Sequence, residues 1–247
     1  PDTVFTILAA ARDGWRWAND IEITLEANPR SVEAAKFRGF ADAGVNRVSM
    51  GIQALRDNDL KRLGRLHDVA EARRAFDVAR SCFDRVSFDL IYARQGQSLD
   101  DWRSELCEAL DMAADHLSLY QLTIEPGTAF WQRAKAGKLR DLPGDELAAD
   151  MFEATQDLCG AAGFNAYEVS NHAQPGAESR HNLIYWQAGD FAGIGPGAHG
   201  RLTIDATRHA TEQESFPAPW LNAASIGESP TTWTTLTPYD SVCEYIM

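Results

Sequence analysis

The chain has 247 residues, 45% of them hydrophobic and 24% charged, with a net charge of −13. That length and balance suit one large folded core. The acidity argues against sequence-independent nucleic-acid binding, which needs a basic surface. The four cysteines, Cys82, Cys107, Cys159 and Cys243, show no C-x-x-C pair or local metal-ligand spacing, and they are too sparse for a disulfide framework. They read as reduced thiols of a cytoplasmic protein. No apolar run approaches a membrane span, and no signal segment opens the chain.

Short strand-like runs alternate with amphipathic helical runs, the pattern of a parallel sheet built from β/α units. The chain opens at Pro1 on a helical pattern carrying Val4, Phe5, Ile7 and Leu8. A strand is predicted over 21–27, then a helix from about Ser31, with that serine as N-cap. A second strand covers 47–53. The helix after it starts at Asp68, where Glu71 three residues on makes a capping box. The third strand spans 85–92, and the following helix opens on Ser98 and Asp101 and buries Trp102, Leu106, Ala109, Leu110 and Ala113 on one face. A fourth strand runs from His116 to about Thr123, a helix over 146–162, and a strand over 166–169. Beyond residue 202 the pattern weakens, and Pro217, Pro219 and Pro230 suggest irregular, exposed structure. The last residues, Tyr245-Ile246-Met247, read as the middle of another helix, so both ends are expected to be cut.

The strands themselves carry information. Strands buried on both faces read as near-continuous apolar runs, yet here the first three alternate. Ile21, Ile23 and Leu25 oppose Glu22, Thr24 and Glu26; Val48, Met50 and Ile52 oppose Arg47, Ser49, Gly51 and Gln53; Val86, Phe88 and Leu90 oppose Ser87 and Asp89. Successive side chains point to opposite faces, so one face packs on helices and the other lines a polar interior. A partial (β/α) TIM-type barrel with a hydrated lumen is the simplest such object, whereas a small closed barrel fills its lumen with Val, Ile and Leu. Glu26, Gln53 and Asp89 fall near the C-terminal ends of successive strands, the end that carries the active site in such barrels. One polar residue there is ordinarily a turn or cap. Three on the inward phase favour a site.

The chemistry narrows by elimination. A Schiff-base aldolase wants a lysine in the lumen, and these strands contain none. No H-x-H or H-E-x-x-H supports a metallohydrolase. Glu26 with Asp89 could be the carboxyl pair of a glycosidase, but with Gln53 beside them they equally suit a ligand bearing hydroxyls and an amine. The run Gly193 to Gly200 matches G-x-G-x-x-A, but strand-like Leu202-Thr203-Ile204 follows it where that fingerprint needs a helix, and an aromatic loop (Tyr185, Trp186, Phe191) precedes it. It reads as a ligand-proximal loop. His172, His181 and His199 sit among Tyr167, Asn171, Asn182, Tyr185 and Trp186: either hydrogen-bonded histidines of an aromatic core, or a pocket for a large flat ligand with an imidazole available to a metal.

Longer runs carry a resemblance. Glu22 to Pro29, Asn46 to Gln53, Leu63-Gly64-Arg65-Leu66-His67, Phe88 to Tyr92 and Leu117 to Thr123 resemble the radical-SAM coproporphyrinogen III dehydrogenase family. Glu125 to Thr128, His181-Asn182-Leu183-Ile184-Tyr185-Trp186 and Gly193 to Arg201 resemble its HemW branch, the haem chaperones. Several motifs in one order over residues 1–205 are more specific than any short match. The resemblance implies a partial (β/α) barrel over 1–205, lacking its first strands, and a barrel-flanking segment with the start of a further domain over 206–247. It implies a [4Fe–4S] cluster and S-adenosylmethionine at the C-terminal strand ends. Glu26, Gln53, Arg65 and Asp89 would contact S-adenosylmethionine, Thr123 and His199 would line the same site, and His181 would be a haem contact. No catalytic residue or metal ligand is assigned within this chain.

Three departures qualify the resemblance. The family's C-x-x-x-C-x-x-C motif and the Gly-Gly-Gly-Thr-Pro segment after it are not in the chain, so the chain alone should not cleave S-adenosylmethionine. Where the family usually has Tyr-Gly-Leu-Pro-Gly-Gln, this chain has Tyr92-Ala93-Arg94-Gln95-Gly96-Gln97, so the loop after Asp89 should differ. The C-terminal domain expected after Tyr239 is only begun. Three functions follow: a haem chaperone passing haem to an acceptor haemoprotein, an oxidase acting on coproporphyrinogen III in porphyrin biosynthesis, or a fragment that does neither. Oligomeric state is not legible.

Overall fold

A computed structural model describes residues 1–246, apart from the side chains of Ala129 and Ile246. In chain order the elements are α1 (Asp2–Gly14), β1 (Thr24–Ala27), α2 (Ala34–Ala43), β2 (Arg47–Gln53), α3 (Asp57–Arg62), α4 (Val69–Arg80), β3 (Arg85–Tyr92), α5 (Leu99–Met112), β4 (His116–Gln121), α6 (Ala129–Lys135), α7 (Asp145–Ala161), β5 (Asn165–Ala166) and β6 (Asn171–Ala173). Then come α8 (Arg180–Trp186), β7 (His199–Ile204), β8 (Thr207–Gln213), α9 (Pro217–Ser225), β9 (Thr231–Thr235) and α10 (Pro238–Ile246). Two compact units result, Pro1–Glu178 and Ser179–Met247. Residue 205, the boundary expected from the sequence, lies in the turn joining β7 to β8.

The first unit is a mixed α/β structure with sheet order β1-β2-β3-β4-β6-β5. Strands β1 to β4 are mutually parallel, and β6 and β5 close the order antiparallel. The predicted alternation is present. Val48, Met50, Ile52, Val86, Phe88, Leu90, Leu117 and Leu119 are buried on one face with Phe37, Phe76, Trp102 and Leu106 from the helices. Truncating a residue such as Phe88 would cost about 3–5 kcal/mol. The predicted capping box forms: Asp68 accepts from the Glu71 N–H at 2.7 Å and Glu71 accepts from the Asp68 N–H at 3.0 Å; Ser98 and Asp101, expected only to open α5, make a second one.

Several local expectations are corrected. The first strand begins at Thr24 rather than Ile21, because the Asn46 side chain binds the Ile23 N–H and the Ile21 carbonyl, both at 2.8 Å. Ser31 is not a helix N-cap. Its hydroxyl donates to the Asn28 carbonyl, and α2 starts three residues later, after Glu33. The strand expected over 166–169 is two short antiparallel pieces, with Tyr167 N–H bonding back to the Asn171 carbonyl between them.

The second unit is more regular than expected. Its strands form an antiparallel sheet, β7-β8-β9. The three prolines that suggested irregularity lie outside the strands: Pro217 and Pro219 in the first turn of α9 and Pro230 just before β9. The β7–β8 turn places Asp205 and Ala206 at φ 48° and 60°, the paired left-handed conformations of a tight hairpin. Tyr185 and Trp186, expected in a loop, end α8. The closing helix ends at Ile246, and Met247 lies outside the described residues.

Candidate ligand site at the strand ends

Register places the polar residues of β1 to β4 on one face. Thr24 pairs with Arg47 and Arg47 with Arg85; Glu26 pairs with Ser49 and Ser49 with Ser87; Asp89 pairs with Ser118 and Ile91 with Tyr120. On β2 the residues Met50 and Gln53 pair with Phe88 and Leu90, so β2 carries one extra residue, a bulge. Gln53 takes the bulge at φ 72°, a conformation that residues with a Cβ rarely adopt.

The bulge builds the site. The Arg65 Nε donates to the Gln53 side-chain oxygen, and the Arg65 charge acts on the Asp89 carboxyl. Burial pushes that carboxyl up to about 6, opposed by Arg65 and then by the backbone amides of Asp89, Ile52 and Gln53. Its Oδ1 atom is buried and makes no hydrogen bond among the described residues. A buried carboxylate oxygen left without a donor is costly; a ligand hydroxyl or cationic group would satisfy it.

Of the predicted residues, Arg65 hydrogen-bonds Gln53 and acts electrostatically on Asp89. Glu26, one residue before the end of β1, lies on the same face in register with Ser49, one inward position short of the Asp89 rung. Thr123 is exposed two residues past the end of β4. His199 and His181 belong to the second unit. There His199 lines a cavity of about 750 Å³ with Tyr185, Phe191, Arg201 and Arg208. Arg201 is held in it by Glu244 at 2.7 Å. His181 is exposed on α8, its Nε2 3.0 Å from the Tyr185 hydroxyl. His172 lies on the opposite face of the first sheet, in register with Leu117, and is a core residue whose imidazole burial pushes down.

Sequence reasoning missed the anchor behind the site. Arg94 is 3% exposed and donates to Glu105, to Asp59 at 3.0 Å and to the Ile91 carbonyl at 2.6 Å. Glu105 also accepts from the Leu55 N–H at 2.6 Å and from Gln97. One buried carboxylate on α5 therefore ties the loop after Gln53 to the loop after Asp89. A signal existed: Glu105 interrupts the apolar face of α5 between Trp102 and Leu106. In the same loop the turn survives without the family's glycine, because Ala93 itself adopts φ 56°.

The glycine-rich run of the second unit is explained by packing. A Cβ on Gly193 would lie 2.1 Å from the His199 carbonyl oxygen, and one on Gly200 would lie 2.4 Å from the Thr211 hydroxyl. A strand, β7, follows the run, which agrees with rejecting a dinucleotide fingerprint.

Residues 2–106 match the model of the Radical SAM superfamily. The chain is 42% identical over 231 residues to the mitochondrial radical S-adenosyl methionine domain-containing protein 1 of Mus musculus, covering 92% of this chain and 52% of that protein. It is 44% identical over 200 residues to the heme chaperone HemW of Escherichia coli, covering 81% and 52%. The chain thus spans about half the length of the curated relatives it matches. Among solved structures, coproporphyrinogen III oxidase (HemN) from Escherichia coli shares the fold with a TM-score of 0.76 at 19% identity, covering 98% of this chain and 57% of that one. These matches lead to one conclusion: residues 2–106 carry a domain of the radical SAM superfamily.

Proposed function

We propose that this chain is the S-adenosylmethionine-binding part of a HemW-like haem chaperone. The observation that carries the reading is the meeting of Gln53, Arg65 and Asp89 at the strand ends around a buried carboxylate oxygen with no donor. Asp89 would accept from ligand hydroxyl or amine groups, Gln53 would offer its amide, and Arg65 would hold Gln53 in place. Glu26 and Thr123 would add the further contacts carried over by position within the same unit. When bound, S-adenosylmethionine would supply the sulfonium chemistry of the superfamily. The [4Fe–4S] cluster fits no residues in the chain: among the described residues no group of three His, Cys, Asp or Glu side chains could hold a metal. No radical step is therefore derived from this chain.

The haem assignment draws on the second unit. His181 stands beside Tyr185 and Trp186 on α8, and Tyr185 also lines the 750 Å³ cavity with Arg201 and Arg208. An imidazole, aromatic rings and arginines suit a flat ligand with anionic edges. A cytoplasmic chaperone delivering haem to an acceptor haemoprotein follows from this reading; among the described residues no helix is long and apolar enough to cross a membrane.

The test is a titration of the protein with haem, followed by its absorption spectrum, beside an assay of coproporphyrinogen III conversion. Stoichiometric haem binding, weakened by His181→Ala and without turnover, is expected. Conversion of coproporphyrinogen III would replace the chaperone with the oxidase. In calorimetry, Asp89→Ala should weaken S-adenosylmethionine binding by about 1.5–3 kcal/mol, and an unchanged dissociation constant would remove Asp89 from the site.

A further inference from the structure

Gln53 holds an unfavourable backbone conformation at the centre of the site, and something must over-determine it. The segment Arg65-Leu66-His67 runs across the bulge with alternate side chains in and out. Arg65 reaches the Gln53 side chain, Leu66 is 80% exposed, and His67 is 4% exposed with its Nε2 3.1 Å from the Ile52 carbonyl. A carbonyl only accepts, so His67 donates through an Nε2–H. Two side chains two residues apart thus pin two successive residues of the bulge, one through its side chain and one through its backbone. Arg65 has a direct part in the site. His67 donates to the carbonyl of a fully buried residue, and among the described residues no hydrogen bond joins its imidazole to Asp89.

We propose that His67 is a positioning residue: it fixes the β2 bulge so that the Ile52 and Gln53 amides, with the Gln53 side chain, face the Asp89 carboxylate in the geometry the ligand needs. The proposal rests on Asp89 and Gln53 binding S-adenosylmethionine. Without the Nε2–H donor, the Ile52 carbonyl loses a buried hydrogen-bond partner, and the strained φ of Gln53 can relax. The two amides then turn away from Asp89, and the Gln53–Arg65 pair loses its alignment.

The experiment compares the protein with its His67→Leu, His67→Asn and His67→Gln variants, using S-adenosylmethionine as the probe in calorimetry from pH 5 to 8. The glutamine amide nitrogen can take the place of Nε2, whereas the asparagine amide is too short and lies where Nδ1 would be. His67→Leu and His67→Asn should weaken binding about tenfold, and His67→Gln should stay within about threefold of the parent. A second readout separates positioning from lost stability. Arg65 and Tyr120 are ionisable side chains that interact electrostatically with Asp89 across the site. With the two amides withdrawn, the acid limb of binding should move to higher pH in the leucine and asparagine variants and stay in place in the glutamine variant. Asparagine matching the parent in affinity and acid limb would overturn the proposal even if the leucine variant does not fold. Should the parent itself not bind S-adenosylmethionine, the functional reading fails separately. The role of His67 is then decided by hydrogen exchange at the Ile52 and Gln53 amides, faster in His67→Asn if His67 pins the bulge and unchanged if it does not.

Discussion

The two ends of the polar sheet face are made of similar residues and do opposite things. Toward the N-terminal ends of the strands, Arg47 donates to Ser87 at 2.9 Å, Arg85 meets Glu22 at 2.8 Å and Asp115 at 3.6 Å, and His116 meets the Tyr167 hydroxyl at 2.7 Å. Toward the C-terminal ends, Asp89 keeps a buried oxygen without a donor beside a backbone bulge. Charges paired with one another hold the sheet together, while a charge left unpaired is a place for a ligand. Strand direction decides which end is which: loops leaving the C-terminal ends can bring Arg65 back over the sheet.

Four substitutions test that contrast. The largest effect should come from Arg85→Leu, which removes an ion partner of Glu22, itself only 7% exposed, along with the bonds to the Ala177 and Glu178 carbonyls. A loss of about 3–5 kcal/mol is expected in denaturant unfolding, and a loss below 1 kcal/mol would make the paired end dispensable. At the other end the sign should reverse. The Asp89 carboxyl titrates near 6 in the folded protein against about 4 unfolded, so the folded state gains stability from the protonated form and loses it as pH rises through 6. Asp89→Asn, which mimics the protonated form, should therefore stabilise the protein at pH 7 by roughly 3 kcal/mol, with the gain vanishing below pH 4, while ligand binding is lost. A variant less stable than the parent at pH 7 would mean the carboxylate is satisfied after all.

A smaller effect concerns His116. Burial first, then Arg47 and Arg85, push its imidazole down to about 3, so the folded state resists the proton that the unfolded chain accepts near 6.5. Stability is present above 6.5 and is lost as pH falls toward 3. Between pH 7 and 5 this contributes roughly 2 kcal/mol, a slope that His116→Phe should lack when unfolding is followed at both values. The smallest effect on stability should belong to Glu26→Ala. Glu26 is exposed on β1, so a change within about 0.5 kcal/mol is expected. If Glu26 is a contact, ligand affinity should nevertheless fall, and equal affinity would remove it from the site.

Pattern and capping alone determined much of this protein. Strands 47–53 and 85–92 were legible to the residue, because alternation has a period of two and each strand divides cleanly between an apolar and a polar face. The helix after Asp68 was legible because a capping box is written within four residues, and the one after Ser98 because its apolar stripe follows the helical period. Gln53 and Asp89 could be singled out from phase alone, before any resemblance was invoked. What tertiary structure decided were features joining distant residues. Asn46 takes over the backbone groups of residues 21 and 23, an α5 carboxylate ties two loops together, and a bulge aims two amides at Asp89. The second unit's sheet was hidden for a related reason. Prolines were read as signs of irregular, exposed structure, though a proline placed before a strand or in the first turn of a helix only marks where an element begins. A periodicity is a local property of one element, whereas a buried charge finds its partner through the fold, and that choice has no period to read.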